Sequence, residues 1–231
     1  IIDIAPNNTP ALVQAARVHF FDGNIEKVKE YMLRASLESR DDEIGWELAK
    51  MYYQSGDTSQ ALTTLKDIRK RSPTFEAATR TMARILLETG SWAQLRELLG
   101  EAQAQYPDKA EYWTMESSMW QAQGDTARAA HASGRALGLQ PNDLGYLRDY
   151  LLLLLESGQT DQAQSVAEDY GRRAHAAGLT KAIRARIAAP QDAQQAETLF
   201  DEASLTAEGG EMGFIAWQYS VAFGDDRARE T

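Results

Sequence analysis

Glycines at positions 23, 56, 90, 124 and 158 stand 33, 34, 34 and 34 residues apart, and the residues around each are phased to it. Five, nine and twelve residues after Gly56 come Ala61, Leu65 and Ile68, with Pro73 seventeen residues on. Steps of four and three lay one apolar stripe along a helix, and the proline stops it. The same offsets give Leu95, Leu99, Ala102 and Pro107 from Gly90, and Ala129, Ser133, Ala136 and Pro141 from Gly124. Without the final proline they give Val28, Met32 and Ala35 from Gly23, and Ala163, Ala167 and Tyr170 from Gly158. A period of this length is an internal repeat, and it excludes a fold built around one central core.

The residues ahead of each glycine are phased too. Seven before lie Ala16, Ala49, Ala83, Ser117 and Leu151, and four before lie His19, Tyr52, Leu86, Trp120 and Leu154. Small beside large is how two helices approach closely and interlock. A helix pair of about 34 residues with small, aromatic, alanine and proline positions in this order resembles the tetratricopeptide repeat family. The departures are Leu151 at a small position, Ser133 and Ala167 at large ones, and Glu116 at an apolar one. The resemblance implies an all-α, right-handed superhelical solenoid of helix-turn-helix repeats, read here as a single array over the whole chain. Its units run about 9–41, 42–75, 76–109, 110–143 and 144–176, after a tail of a preceding repeat at 1–8 ending near Pro6. A degenerate unit follows at 177–209, with its turn at Pro190-Gln191-Asp192 and its stripe at Ala196, Phe200 and Ala203. A partial unit at 210–231 has Phe214, Trp217 and Val221 spaced as one apolar face before Gly224. Neither end offers a polar terminal repeat, so the natural chain is expected to extend both ways.

Hydrophobic content of 43% and charged content of 25% are those of a folded chain. The longest apolar run, Leu151 to Leu155, is far shorter than the roughly 20 residues a membrane helix needs. There is no cysteine, which excludes disulfides and thiolate metal sites. A net charge of −10 argues against nucleic acid as a partner.

Catalytic chemistry finds no support, and neither cofactor nor metal is expected. His19, His131 and His175 lie in different units without a second ligand at helical spacing, and His19 fills a packing position. Gly209-Gly210 lacks the lysine of a phosphate loop. Asp41-Asp42 and Asp225-Asp226 sit where helices start, where carboxylates meet the positive end of the helix. Asn7-Asn8-Thr9 matches a glycosylation sequon but reads as a helix cap.

In the family that the chain resembles, the first helix of each pair lines the inner surface. Its free face would be the positions ten, six and three before the glycine: Val13, Arg17 and Phe20; Trp46, Lys50 and Tyr53; Arg80, Arg84 and Leu87; then Thr114, Ser118, Gln121 and Arg148, Leu152, Leu155. The candidate partner-binding residues are Arg17, Phe20, Trp46, Lys50, Tyr53, Arg80, Arg84 and Arg148, a cationic and aromatic stripe in an acidic chain. Arg80 and Arg84 match two basic positions of the family's peptide-carboxylate clamps, whereas Arg17 and Lys50 replace the clamp's asparagines. The expected function is a non-enzymatic protein-protein interaction scaffold with an acidic or carboxylate-bearing partner segment. Composition resembles the repeat arrays of long bacterial envelope proteins, among them those of exopolysaccharide export, which implies a periplasmic setting. The alternatives left open are a guide surface for a passing polysaccharide and a cytoplasmic co-chaperone-like peptide-binding module.

Overall fold

One residue ends a helix and begins the next at each periodic glycine. Gly23, Gly56, Gly90, Gly124 and Gly158 all take φ between +68° and +86°, the left-handed region that a side chain disfavours. At Gly56 the glycine N–H donates to the Tyr53 carbonyl at 3.0 Å and the Asp57 N–H to the Tyr52 carbonyl at 2.8 Å, which satisfies two carbonyls at the helix end. The equivalent second bond runs from Asn24 to His19, Ser91 to Leu86, Asp125 to Trp120 and Gln159 to Leu154. Asp57 then caps the following helix, its carboxylate accepting from the Gln60 N–H at 3.1 Å. Asp125 and Asn24 do the same for the N–H groups of Arg128 and Lys27.

The computed structural model describes residues 8–39, 41–173, 176–207 and 210–224. Pro6, Asn7, His175, Gly209 and Asp225-Asp226 lie outside the described residues. Among those described there are thirteen helices and no strand, so the fold is an all-α helical-repeat solenoid. Two compact units divide between Pro107 and Asp108. The first holds α1 (Thr9–Phe21), α2 (Ile25–Ser39), α3 (Asp42–Gln54), α4 (Thr58–Arg71), α5 (Glu76–Glu88) and α6 (Trp92–Gln105). The second holds α7 (Ala110–Ala122), α8 (Thr126–Leu139), α9 (Leu144–Glu156), α10 (Thr160–Gly171), α11 (Ala177–Ala188), α12 (Ala193–Thr206) and α13 (Glu211–Phe223).

In the first unit each helix packs on the one before it, and α3 also meets α5. The stripes read from the sequence point inward: Val28, Met32 and Ala35, then Ala61, Leu65 and Ile68, then Leu95, Leu99 and Ala102 are all buried. Asn8 caps α1 by accepting from the Ala11 N–H, and Asp41 caps α3 by accepting from the Glu43 N–H, both at 2.9 Å. Arg71, at the end of α4, reaches back to Asp42 with its Nε at 3.1 Å from Oδ1.

Burial alone would raise the Asp42 carboxyl, but hydrogen bonds from Ser72 and Arg71 and the charge of Arg71 outweigh it and hold it below the usual range. A depressed folded value means that its stabilisation is complete above the unfolded carboxylate value, near 3.9, and is lost as pH falls through the lower folded one. Arg71→Gln is therefore expected to destabilise the first unit at neutral pH by less than about 1 kcal/mol, since the pair is partly exposed. Urea titrations at several pH values check this: the gap between variant and parent shrinks as the solution is acidified.

In the second unit α8 to α12 each pack on the helix before, and α13 meets both α11 and α12. Ser117, at a small position, is buried, and its hydroxyl donates to the Ala129 carbonyl at 2.9 Å, tying α7 to α8. Glu116, at an apolar position in the pattern, accepts from the Trp120 indole at 3.2 Å. Leu151 is fully buried in a cluster that joins Leu147, Leu154, Leu179 and Ile183 to Ala163 and Ala167, so the oversized residue is taken into the core. The degenerate turn lacks glycine and runs through Ala189-Pro190-Gln191, after which Asp192 caps α12 by accepting from the Gln195 N–H at 2.9 Å.

Phe214, Trp217 and Val221 share one apolar face of α13, but that face is not the side buried deepest. Trp217 and Val221 are 47% and 45% exposed, and the buried residues are Ile215 and Gln218. Because α13 is apolar on most of its circumference, the spacing of apolar residues does not select which side packs.

Candidate functional site

In the first unit α1, α3 and α5, the first helices of their pairs, carry seven of the eight candidate residues, and six of these fall into two groups. Arg17 and Phe20 line a groove of about 810 Å³ with Val13 of α1 and Glu43, Ile44, Glu47 and Met51 of α3. Phe20 is 56% exposed and its neighbour Phe21 87%, so large apolar surface faces solvent at this groove. His19 points away from it, half-buried and stacked on Tyr31 at 5.5 Å between ring centres.

Trp46, Lys50, Tyr53 and Arg84 form the second group, across α3 and α5. The Trp46 indole N–H donates to the buried Thr81 hydroxyl at 2.8 Å, and its ring meets Phe75 edge to face at 6.4 Å. The Lys50 ammonium lies 3.8 Å above the Trp46 ring centre and 2.6 Å from the Glu47 carboxylate. Glu88 serves two candidates at once: it accepts from the Tyr53 hydroxyl at 2.5 Å and lies 3.8 Å from the Arg84 guanidinium. The hydrogen bond to Glu88, with burial second, pushes the Tyr53 phenol above its ordinary value. Arg80 is exposed on α5 and is engaged within the protein.

Carboxylates thus accompany the cationic stripe. Glu47 sits three residues before Lys50 and Glu88 four after Arg84, the spacings at which charges on one helix meet. That signal was present in the sequence, and counting only the cations of the face passes over it. Thr81, which fixes the Trp46 indole, comes from the next repeat, and Phe75 from the far end of the same one, so neither carries a local signal.

The second unit differs. Its groove between α7 and α9, about 250 Å³, is lined mainly by polar groups, among them Thr114, Ser118, Gln121, Tyr146, Asp149 and Glu156. Arg148 is not among its lining residues and holds Asp149 at 2.9 Å. Among the described residues no cluster of three histidine or acidic side chains is placed to hold a metal ion. No described helix is long and apolar enough to cross a membrane.

Comparison with known proteins agrees with the architecture. The family model described as tetratricopeptide repeat matches residues 52–118. MamA from Desulfovibrio magneticus RS-1, from residue 41 to its end, superposes with a TM-score of 0.55 at 16% identity, over 71% of this chain and 92% of that one. A tetratricopeptide repeat protein from Parabacteroides merdae ATCC 43184 superposes with a TM-score of 0.55 at 13% identity, over 96% of this chain and 88% of its own. At such identities the likeness is one of fold. A comparison with curated protein sequences finds no match. The tetratricopeptide repeat model matches residues 52–118, and the same glycine turn and buried stripe recur on both sides of that stretch, so the helical-repeat fold of those proteins is the fold of this chain.

Proposed function

We propose that this array is a non-enzymatic scaffold that holds a partner protein on the inner face of its first unit, as part of a bacterial envelope complex serving exopolysaccharide secretion in the periplasm. The scaffold role is supported by the fold, since repeats of this kind build open binding surfaces from stacked helix pairs. The observation that carries it is the solvent-facing Phe20 beside a groove of about 810 Å³, on helices whose flank is held rigid by Trp46–Thr81 and Tyr53–Glu88. Rigid presentation lowers the ordering cost of association. The partner touches Arg17 and Phe20 in the groove and Trp46, Lys50, Tyr53, Arg80 and Arg84 along the flank. Arg148 is a contact of the second unit. The periplasmic setting draws its support from composition, which resembles that of the repeat arrays of long bacterial envelope proteins.

Native mass spectrometry of the array with envelope extract tests the role. A stoichiometric protein partner is expected, and retention on polysaccharide alone overturns it. Lys50→Ala with Arg84→Ala is expected to weaken partner binding by less than about 1 kcal/mol, because both cations are already paired and partly exposed. Arg128→Ala on α8 serves as the control. For the setting, the sequence of the full gene decides: an export signal ahead of the array supports it, and a fused cytoplasmic enzyme domain removes it.

A further inference from the structure

Resting on that scaffold reading, we infer that the groove between α1 and α3 takes a partner segment bearing large apolar side chains together with one carboxylate and one basic group, seated on Arg17 and Glu43. The groove is about 810 Å³, with Val13, Ile44 and Met51 joining its apolar lining to the core behind it. Phe20, 56% exposed, supplies a wall that a partner's apolar side chain would cover.

The charges decide the rest. Three charged residues line the groove: Arg17, Glu43 and Glu47. Glu47 is occupied by Lys50 at 2.6 Å. Among the described residues, Arg17 and Glu43 have no ion-pair partner and are not paired with each other. A purely acidic segment meets Arg17 favourably but is repelled by Glu43 and by a chain of net charge −10. A segment of both signs meets two attractions and leaves neither charge covered without a partner, which is the larger penalty once the groove is closed. Phosphate-rich or uniformly acidic polymers satisfy one residue and oppose the other. A second copy of this acidic chain faces the same net repulsion. The second unit's groove, about 250 Å³ and lined by Thr114, Ser118 and Gln121, offers hydroxyl and amide groups in place of an exposed aromatic wall.

The test is a library of short random linear peptides displayed on phage and panned on the whole chain. Enriched peptides are expected to combine leucine, isoleucine, phenylalanine, methionine or tryptophan with at least one acidic and one basic residue. Affinity of the best peptide, measured by fluorescence anisotropy, is expected to fall about tenfold with Phe20→Ala, as for a central apolar contact. It should fall comparably with Arg17→Glu and return when the peptide's acidic residue is exchanged for lysine. Glu43→Lys should behave in the mirror sense, and Ser118→Ala with Gln121→Ala should leave affinity unchanged. Circular dichroism confirms that each variant keeps its helices. Peptides that bind Phe20→Ala and Arg17→Glu as tightly as the parent overturn the inference while the scaffold reading stands. So does loss of affinity in the Ser118 and Gln121 variant, or dimerisation of the chain that survives at low concentration and blocks the peptides. No enrichment at all also overturns it, and the envelope-extract measurement then decides the scaffold reading separately.

Discussion

Leu151→Ala is expected to lower the stability of the second unit by about 2–5 kcal/mol, the range for deleting a fully buried leucine side chain. The upper part of that range is the better expectation. Leu151 stands where the other units have alanine or serine, in a cluster of fully buried, close-packed side chains that relaxes only partly around a cavity. Helix backbones on both sides would have to move to close the gap, and the packing of α9 against α8 and α10 restrains them. Urea unfolding followed by far-ultraviolet circular dichroism gives the stability, and hydrogen exchange assigns the loss to residues 108–231. A loss below about 1 kcal/mol would mean that the cluster collapses freely and that the oversized residue is not a packing requirement.

Gly134→Leu is expected to be destabilising by about 1–3 kcal/mol, although replacing a helical glycine normally gains up to about 1 kcal/mol. A side chain at 134 would start 2.9 Å and 3.0 Å from two ring atoms of Tyr150. That ring cannot easily yield: Tyr150 is half-buried and its hydroxyl accepts from the Gln162 amide at 2.8 Å, tying α9 to α10. The control is Gly100→Ala on α6, where nothing lies within 4 Å of the added carbon. It should stabilise the first unit by up to about 1 kcal/mol. Thermal and urea unfolding of the two variants should thus move in opposite directions, and a shift of the same sign in both would show that helix propensity outweighs the close approach at Gly134.

What could be read from the sequence was whatever repeats within a helix or a turn. Stripes such as Ala61, Leu65 and Ile68 are buried as their spacing requires, because a helix fixes which residues share a face. Turn geometry was legible for the same reason, since the glycine and the capping residue after it act within a few bonds. Pairings between units were not. Nothing near Trp46 announces Thr81, 35 residues away, and nothing near Tyr53 announces Glu88. Those partners are set by the register of α3 on α5. The fully buried Tyr112 on α7 likewise falls outside the glycine-phased offsets. In α13 the pattern misled because apolar residues surround the helix, and burial of Gln218 in place of Trp217 is a tertiary choice. For the candidate site, the identity of the stripe was visible but its net character was not, because Glu47 and Glu88 neutralise what a count of arginines and lysines suggests.

A single residue at each turn carries both the end of one helix and the start of the next, so the connection has no slack. Adding or removing one residue between Tyr52 and Gln60 would rotate α4 by about 100° and carry Ala61, Leu65 and Ile68 off the core together. Length change by single residues is therefore closed to these turns, and such an array can grow or shrink only by whole helix pairs that preserve the phase. The connection through Ala189-Pro190-Gln191 shows the other solution: an extra residue is admitted where the glycine is gone and Asp192 alone restarts the helix. Ala196, Phe200 and Ala203 remain buried after it. That turn is where a lineage of such arrays would accept insertions, and where a domain grafted into this chain would least disturb its register.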